Sequence, residues 1–251
     1  MSNQKIKIEI CPQSLTSALI AQEGGADRIE LCAALEVGGL TPGLASILKA
    51  RQMLHIEICI LIRPRAGDFC YSDLEFTTIK EDIIFCRDNG IDGVVVGILK
   101  PDGTLNMEQM KELVDIARPM DIICHRAFDQ TPDPHATMEQ LIELGFDRVL
   151  TSGQGVNALA GSKILRGLIE QADGRIEIMP GVGINPENLG ELIEKTGAKS
   201  YHTSAQILVK SRMIPNENIP QFSAKAGRAN DYFESSLDIV KELVAIAKSR
   251  S

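Results

Sequence analysis

The fold class the sequence predicts is α/β, a single (β/α)8 TIM barrel, on three observations. Eight short strand-like runs recur along the 251 residues, helix-like runs with readable ends separate them, and no linker or shift of composition divides the chain. An open doubly wound sheet usually has fewer strands and a glycine-rich first turn. No nucleotide-cofactor motif of that kind follows the first strand. Barrels of this length commonly fold as one unit, so residues 1–251 are read as one domain.

The first strand is KIKIEIC, residues 5–11, with Ile6, Ile8 and Ile10 on one face and Lys5, Lys7, Glu9 and Cys11 on the other. Parallel strands covered by helices on both sides read as continuously apolar, so this polar face needs an explanation. A closed barrel supplies it: the isoleucines pack outward on the helices and the other face lines the interior. The remaining runs are RIELC (28–32), HIEICILIR (55–63), GVVVG (93–97), DIICHR (121–126), RVLTSG (148–153), RIEIMPG (175–181) and SYHTSA (200–205).

The intervening helices carry start signals. Ser72 with Glu75, and Asn106 with Gln109, have capping-box spacing, while Asp133-Pro134 and Asn185-Pro186 put a cap residue before Pro in the first turn. Gly24, Gly90, Gly145 and Gly197 stand where helices stop, opening GGADRIEL, GIDGVVV, GFDRVL and GAKSYH into the next strand. Beyond the eighth strand, residues 206–234 hold Pro215, Pro220 and a polar run before the last helix, SSLDIVKELVAIAKS. A connection of that length without clear structure is read as a lid, an oligomer contact or a disordered stretch.

Strand parity predicts the barrel lining. Lys7, Arg28, Arg148 and Arg175 form a lower basic layer, and Glu9, Glu30, Glu57 and Glu177 an acidic layer above it. Such charges stay inside only when paired. At the C-terminal mouth, Glu9, Glu30, Arg63, His125, Ser152, His202 and Ser204 should converge, joined by Arg65, Asp68, Arg126 and Asp129 from loops. His125 and His202 are candidates for proton transfer or metal ligation, because imidazole changes charge near neutral pH. His55 and His135 fall at surface positions. The glycines of MPGVGINPEN, Gly181 and Gly183, precede a capped helix and suit a backbone anion site.

Composition narrows the classes. A net charge of −8, 4% aromatic residues and no Trp argue against a nucleic-acid surface. No apolar run approaches the roughly 18 residues of a membrane span. MSNQKIKIEI lacks the features of a signal peptide, so a cytoplasmic location is expected. The six cysteines form no C-x-x-C pair and are expected to be reduced.

EIC (9–11), GGADRIELCA (24–33), GGLTP (38–42), IRPRAGDFCYSD (62–73), HRAFD (125–129), LGFDRVLTSG (144–153) and RIEIMPGVGI (175–184) resemble the CutC copper-homeostasis family, over residues 5–205. The resemblance implies a cytoplasmic TIM-type barrel named for copper handling and oligomeric in some members. Cys11 and Cys32 match the family's EIC and ELC cysteines and end neighbouring strands on the inward face, where two thiolates suit Cu(I). The chain departs from the family pattern at Cys59, Cys70 and Cys124, at Ala66, and at Val182, which interrupts a usual run of three glycines. MEQM (107–110) has suggestive Met spacing but reads as the core face of a helix.

Two functions stand on these residues. One is copper homeostasis through Cu(I) held by Cys11 and Cys32. The alternative is a TIM-barrel enzyme acting by acid–base chemistry on a small anionic metabolite, phosphorylated or carboxylated. Its catalytic set is Glu9, Glu30, Arg63, His125 and His202, with Arg65, Ser152, Gly181, Gly183 and Ser204 holding the ligand.

Overall fold

The computed structural model describes residues 5–213 and 230–250. Eight strands, β1 (Lys7–Ile10), β2 (Arg28–Leu31), β3 (Glu57–Leu61), β4 (Gly93–Val96), β5 (Asp121–Cys124), β6 (Arg148–Thr151), β7 (Glu177–Pro180) and β8 (Ser200–Thr203), each fall inside a predicted run. They form one parallel sheet in the order β7-β6-β5-β4-β3-β2-β1-β8. A parallel bridge between Gly181 and His202 joins its two ends, giving the barrel.

Helices α1 (Leu15–Glu23), α2 (Leu44–Met53), α3 (Asp73–Asp88), α4 (Met107–Ala117), α5 (Pro134–Leu144), α6 (Ser162–Ala172) and α7 (Pro186–Thr196) follow strands one to seven in turn. After β8 the chain runs through β9 (Gln206–Val209) and β10 (Tyr232–Ser235) before α8 (Leu237–Ser249). Side chains of Ser72, Asn106, Asp133 and Asn185 cap α3, α4, α5 and α7 as their sequence patterns predict. Among the described residues, no helix is long and apolar enough to cross a membrane.

The two-residue period sorts side chains into two cores. Ile8, Ile10, Ile29, Leu31, Ile58 and Ile60 pack outward against the helices in the large apolar cluster, which also takes Cys124 and Met110. A small inner cluster of Cys11, Cys32, Cys59, Leu61, Val95 and Ile123 lies within the barrel.

The charged interior is real, but it is not layered by sign. Barrel strands are staggered by shear, so Glu9 stands beside Arg28, and Arg28 beside Glu57, while Arg148 stands beside Glu177. Acid and base therefore alternate along a row. Arg28, fully buried, donates from Nε to Glu9 at 2.6 Å and from NH2 to Glu177 at 2.8 Å. Arg148 holds Glu57 at 2.8 Å and Asp121 at 3.0 Å. Two expected members are elsewhere. Arg175 precedes β7 and turns outward to Glu139 of α5, and Lys7 is only half-buried.

The segment after β8 also differs from expectation at its ends. β9 and β10 pair antiparallel, Gln206 opposite Ser235, and Ser17 of α1 accepts the Ser235 N–H. The central part of the segment, with Pro215 and Pro220, lies outside the described residues.

Candidate functional site

Strand ends build the mouth. The last inward positions of β1 and β2 carry Cys11 and Cys32, whose sulfurs lie 3.6 Å apart. One strand over, β8 puts His202 in register with Glu9, and His202 Nδ1 lies 2.6 Å from Glu9 Oε1. Glu30 sits among them: Oε1 is 3.9 Å from the Cys11 thiol, and Oε2 is 4.0 Å from His202 Nδ1 with no hydrogen-bond partner.

Burial and charge give these groups different states. Burial works against ionised Glu9, yet Arg28 and His202 outweigh it and hold its pKa at about 2. For Glu30 burial outweighs the more distant His202 and pushes it up to about 7. For His202 burial opposes the imidazolium, but the Glu9 hydrogen bond and the Glu30 charge raise its pKa overall. The Cys11 thiol is held well above its usual range, first by the contact with Cys32 and then by burial. Cys11, Glu30 and His202 each offer a ligand atom within 4.8 Å of the others. Strand parity placed all three at the mouth, but their grouping depends on stagger and was not foreseen.

The opposite wall is basic. Arg63, just past β3, is buried and donates to the carbonyls of Val37 and Gly39 at 3.0 Å each and of Gly67 at 2.8 Å. The GGL stretch makes this possible: Gly38 and Gly39 have φ of +89° and +85°, a backbone that turns those carbonyls toward the guanidinium. His125 follows β5, and its Nδ1 accepts the Ala127 N–H at 3.1 Å. Burial first, and then the Arg63 charge, lower its pKa to about 3, so the ring is neutral. Gly97 leaves room for it, since a Cβ there would stand 2.5 Å from His125 Cε1.

Between the walls lies a cavity of about 880 Å3, bordered among others by Cys11, Glu30, Arg63, His125, Gly183 and His202. Ser204 also borders it. Val182, at the position where the resemblance implies glycine, borders it with φ of +80°, a strained conformation for a β-branched residue.

Other expected site residues have different employment. Arg65 turns away from the cavity to Asp68 at 3.0 Å and Glu75 at 2.6 Å, binding the β3–α3 loop to the start of α3. Ser152 is fully buried and bonded to Asp129 and the Gly155 carbonyl. Asp129 also accepts from Thr151 Oγ1 at 2.5 Å and pairs with Arg126, so it organises the β6–α6 loop. Gly181 donates its N–H to Thr151, within the barrel wall. Sequence reasoning missed Phe69, whose ring lies 5.1 Å from the Arg63 guanidinium and 4.8 Å from the His125 ring. The aromatic in RAGDF was its only signal. His55 and His135 are exposed, as expected.

The CutC family model matches residues 6–207. A family protein CutC from Parabacteroides distasonis is 42% identical over 239 residues, covering 94% of this chain and 98% of the relative. A human copper homeostasis protein cutC homolog is 42% identical over 244 residues, covering 96% of this chain and 89% of its own. A crystal structure of CutC from Streptococcus agalactiae superposes with a TM-score of 0.76 at 35% identity, covering 79% of this chain and 98% of that one. The family match over most of the chain and the long relatives at 42% identity agree with the barrel: this chain belongs to the CutC family.

Proposed function

We propose that the protein serves copper homeostasis in the cytoplasm by holding Cu(I) between Cys11 and Cys32. The observation that carries this reading is the 3.6 Å separation of two thiol sulfurs, of which that of Cys11 belongs to a residue bordering the cavity and that of Cys32 is buried behind it. Cu(I) is soft and prefers sulfur to the oxygens of Glu9 and Glu30. With metal–sulfur bonds of ~2.3 Å, a two-coordinate linear ion sets its sulfurs ~4.6 Å apart, and a three-coordinate ion near 120° sets them ~4.0 Å apart. The observed spacing is nearer the second value.

A third ligand is at hand in His202. Glu9 accepts from Nδ1, which leaves Nε2 as the ligating nitrogen, the usual way a carboxylate orients a metal-binding imidazole. Loading displaces protons, because the Cys11 thiol is protonated at neutral pH and only thiolates ligate. Copper is the cargo in this reading.

The test is a Cu(I) competition titration against a strong chelator. Native protein should hold one tight equivalent, lost in Cys11→Ser and in Cys32→Ser but kept when Cys59, Cys70, Cys86 and Cys124 are all replaced by Ser. His202→Leu should weaken binding without abolishing it. Unchanged affinity in the first two variants overturns the assignment.

A further inference from the structure

Among the described residues, the buried hydrogen-bonding atoms without a partner include Arg63 Nε and His125 Nε2, whose residues border the cavity, and Tyr71 Oη close by. All three can donate. The His125 Nδ1 accepts the Ala127 N–H, so the proton of the neutral ring is on Nε2. Phe69 lies against both Arg63 and His125, and Tyr71 stands between the Arg63 and Arg65 guanidiniums, its ring 5.2 Å from that of Arg65.

The charge is as unusual as the geometry. Arg63 is buried, its three hydrogen bonds go to neutral carbonyls, and the loop carboxylates nearest in sequence, Asp68 and Glu75, are taken by Arg65. A buried cation is normally paired with an anion, and buried donors normally find acceptors. Lys100 and Arg126 also border the cavity but are exposed to solvent, so the one buried charge here is Arg63, and with neutral donors beside it that charge matches a single carboxylate.

We propose that the Arg63 side of the mouth binds the carboxylate of a small organic acid, held by Arg63 Nε–H, His125 Nε2–H and Tyr71 O–H. The three atoms are covered in this conformation, and Phe69 is the cover. Its ring is half-buried on the β3–α3 loop, and the acid is seated when that ring turns outward. The body of the acid then occupies the cavity, whose volume of about 880 Å3 is ample for a metabolite-sized molecule. The far end of the acid faces Glu30 and His202. The three donors that hold the carboxylate are none of the copper ligands, and only the far end of the acid meets His202, so the carboxylate site does not depend on the Cys11–Cys32 assignment.

Thermal unfolding and calorimetry with a panel of mono-, di- and hydroxycarboxylic acids and of phosphate esters test the proposal. The panel is applied to metal-free native protein and to the Cys11→Ser/Cys32→Ser double variant. A carboxylic acid should raise the Tm of both alike, since a ligand bound only by the folded state stabilises it. His125→Asn retains an acceptor for the Ala127 N–H while removing the Nε2–H, and Tyr71→Phe removes only a hydroxyl. Each should weaken that acid roughly tenfold. Phe69→Ala should tighten it, by removing the cover. Circular dichroism and unfolding without ligand confirm that each variant is folded, and Tyr71→Phe keeps the test open if His125→Asn is not. The proposal is overturned if no carboxylic acid shifts the native protein, if only phosphate esters do, or if the thiol variant loses the shift. It is equally overturned if binding is unchanged in both donor variants.

Discussion

His125 is kept neutral by the fold, and that has a measurable consequence. Its pKa falls from the ordinary 6.5 to about 3, chiefly through burial and secondly through Arg63. Between those values the unfolded chain takes up a proton that the folded chain refuses, so stability is full above about pH 6.5 and declines as pH drops toward 3. The slope approaches ~1.4 kcal/mol per pH unit at most. We expect His125→Asn to flatten the curve: the native-minus-variant difference in urea-unfolding free energy should shrink steadily from pH 6.5 to 4. A constant difference would show that His125 takes up its proton equally in the folded and the unfolded chain. The position of His125 was legible, because a strand's two-residue period fixes which face it takes. Its tautomer and neutrality were not, because they depend on Ala127, Gly97 and Arg63, which come together only in three dimensions.

At the scale of elements, the glycine-led turns before β2, β4 and β6 turn out to be braces. Asp27, Asp92 and Asp147 each accept the backbone N–H of a residue one strand back, Ile8, Ile58 and Ile122, all at 2.8 Å. Each also donates its own N–H to that residue's carbonyl. The result is a two-bond ring that locks an odd-numbered strand to the even-numbered one after it. A surface cation completes every brace: Lys5, Arg51 and Arg118 in turn. Those exposed ion pairs add little, whereas loss of the carboxylate leaves a strand N–H without its acceptor. Asp147→Ala should therefore destabilise the barrel by ~1–3 kcal/mol, and Asp147→Asn, which keeps an acceptor oxygen, by less, as read from denaturant unfolding. Equal losses in the two variants would assign the effect to charge. The G-x-D pattern was visible in the sequence, but its purpose was not, since it requires knowing which strands are neighbours. GAKSYH before β8 has Lys199 at the matching place and so no carboxylate to form the brace; its carbonyl accepts the N–H of Lys7 on β1 instead.

At the scale of the whole molecule, the barrel interior is cross-linked by charge where many barrels are filled by aliphatic layers. The sequence made the inward glutamates and arginines plain, because Ile, Leu and Val alternate with them so regularly. It did not reveal which pairs form, since pairing follows the stagger of the strands, a property of the closed sheet. Arg28 is the centre of that cross-linking: from β2 it reaches Glu9 on β1 and Glu177 on β7, tying the sheet across the weak closure between β7 and β8. Glu177 can recover water, with 30% of its side chain exposed, but Glu9 at 2% cannot. Replacing Arg28 by Met thus leaves buried Glu9 with the His202 imidazole in place of a guanidinium and an imidazole, and removal of one partner from a buried pair typically costs ~3–5 kcal/mol. If that cost arises at Glu9, adding Glu9→Gln to Arg28→Met should restore part of the stability, so that the double variant is more stable than the sum of the two single changes implies. Chemical denaturation of the four proteins measures this directly. An Arg28→Met loss under ~1 kcal/mol, or strict additivity in the double variant, would mean that His202 alone satisfies Glu9 and that the aliphatic outer shell holds the barrel closed without Arg28.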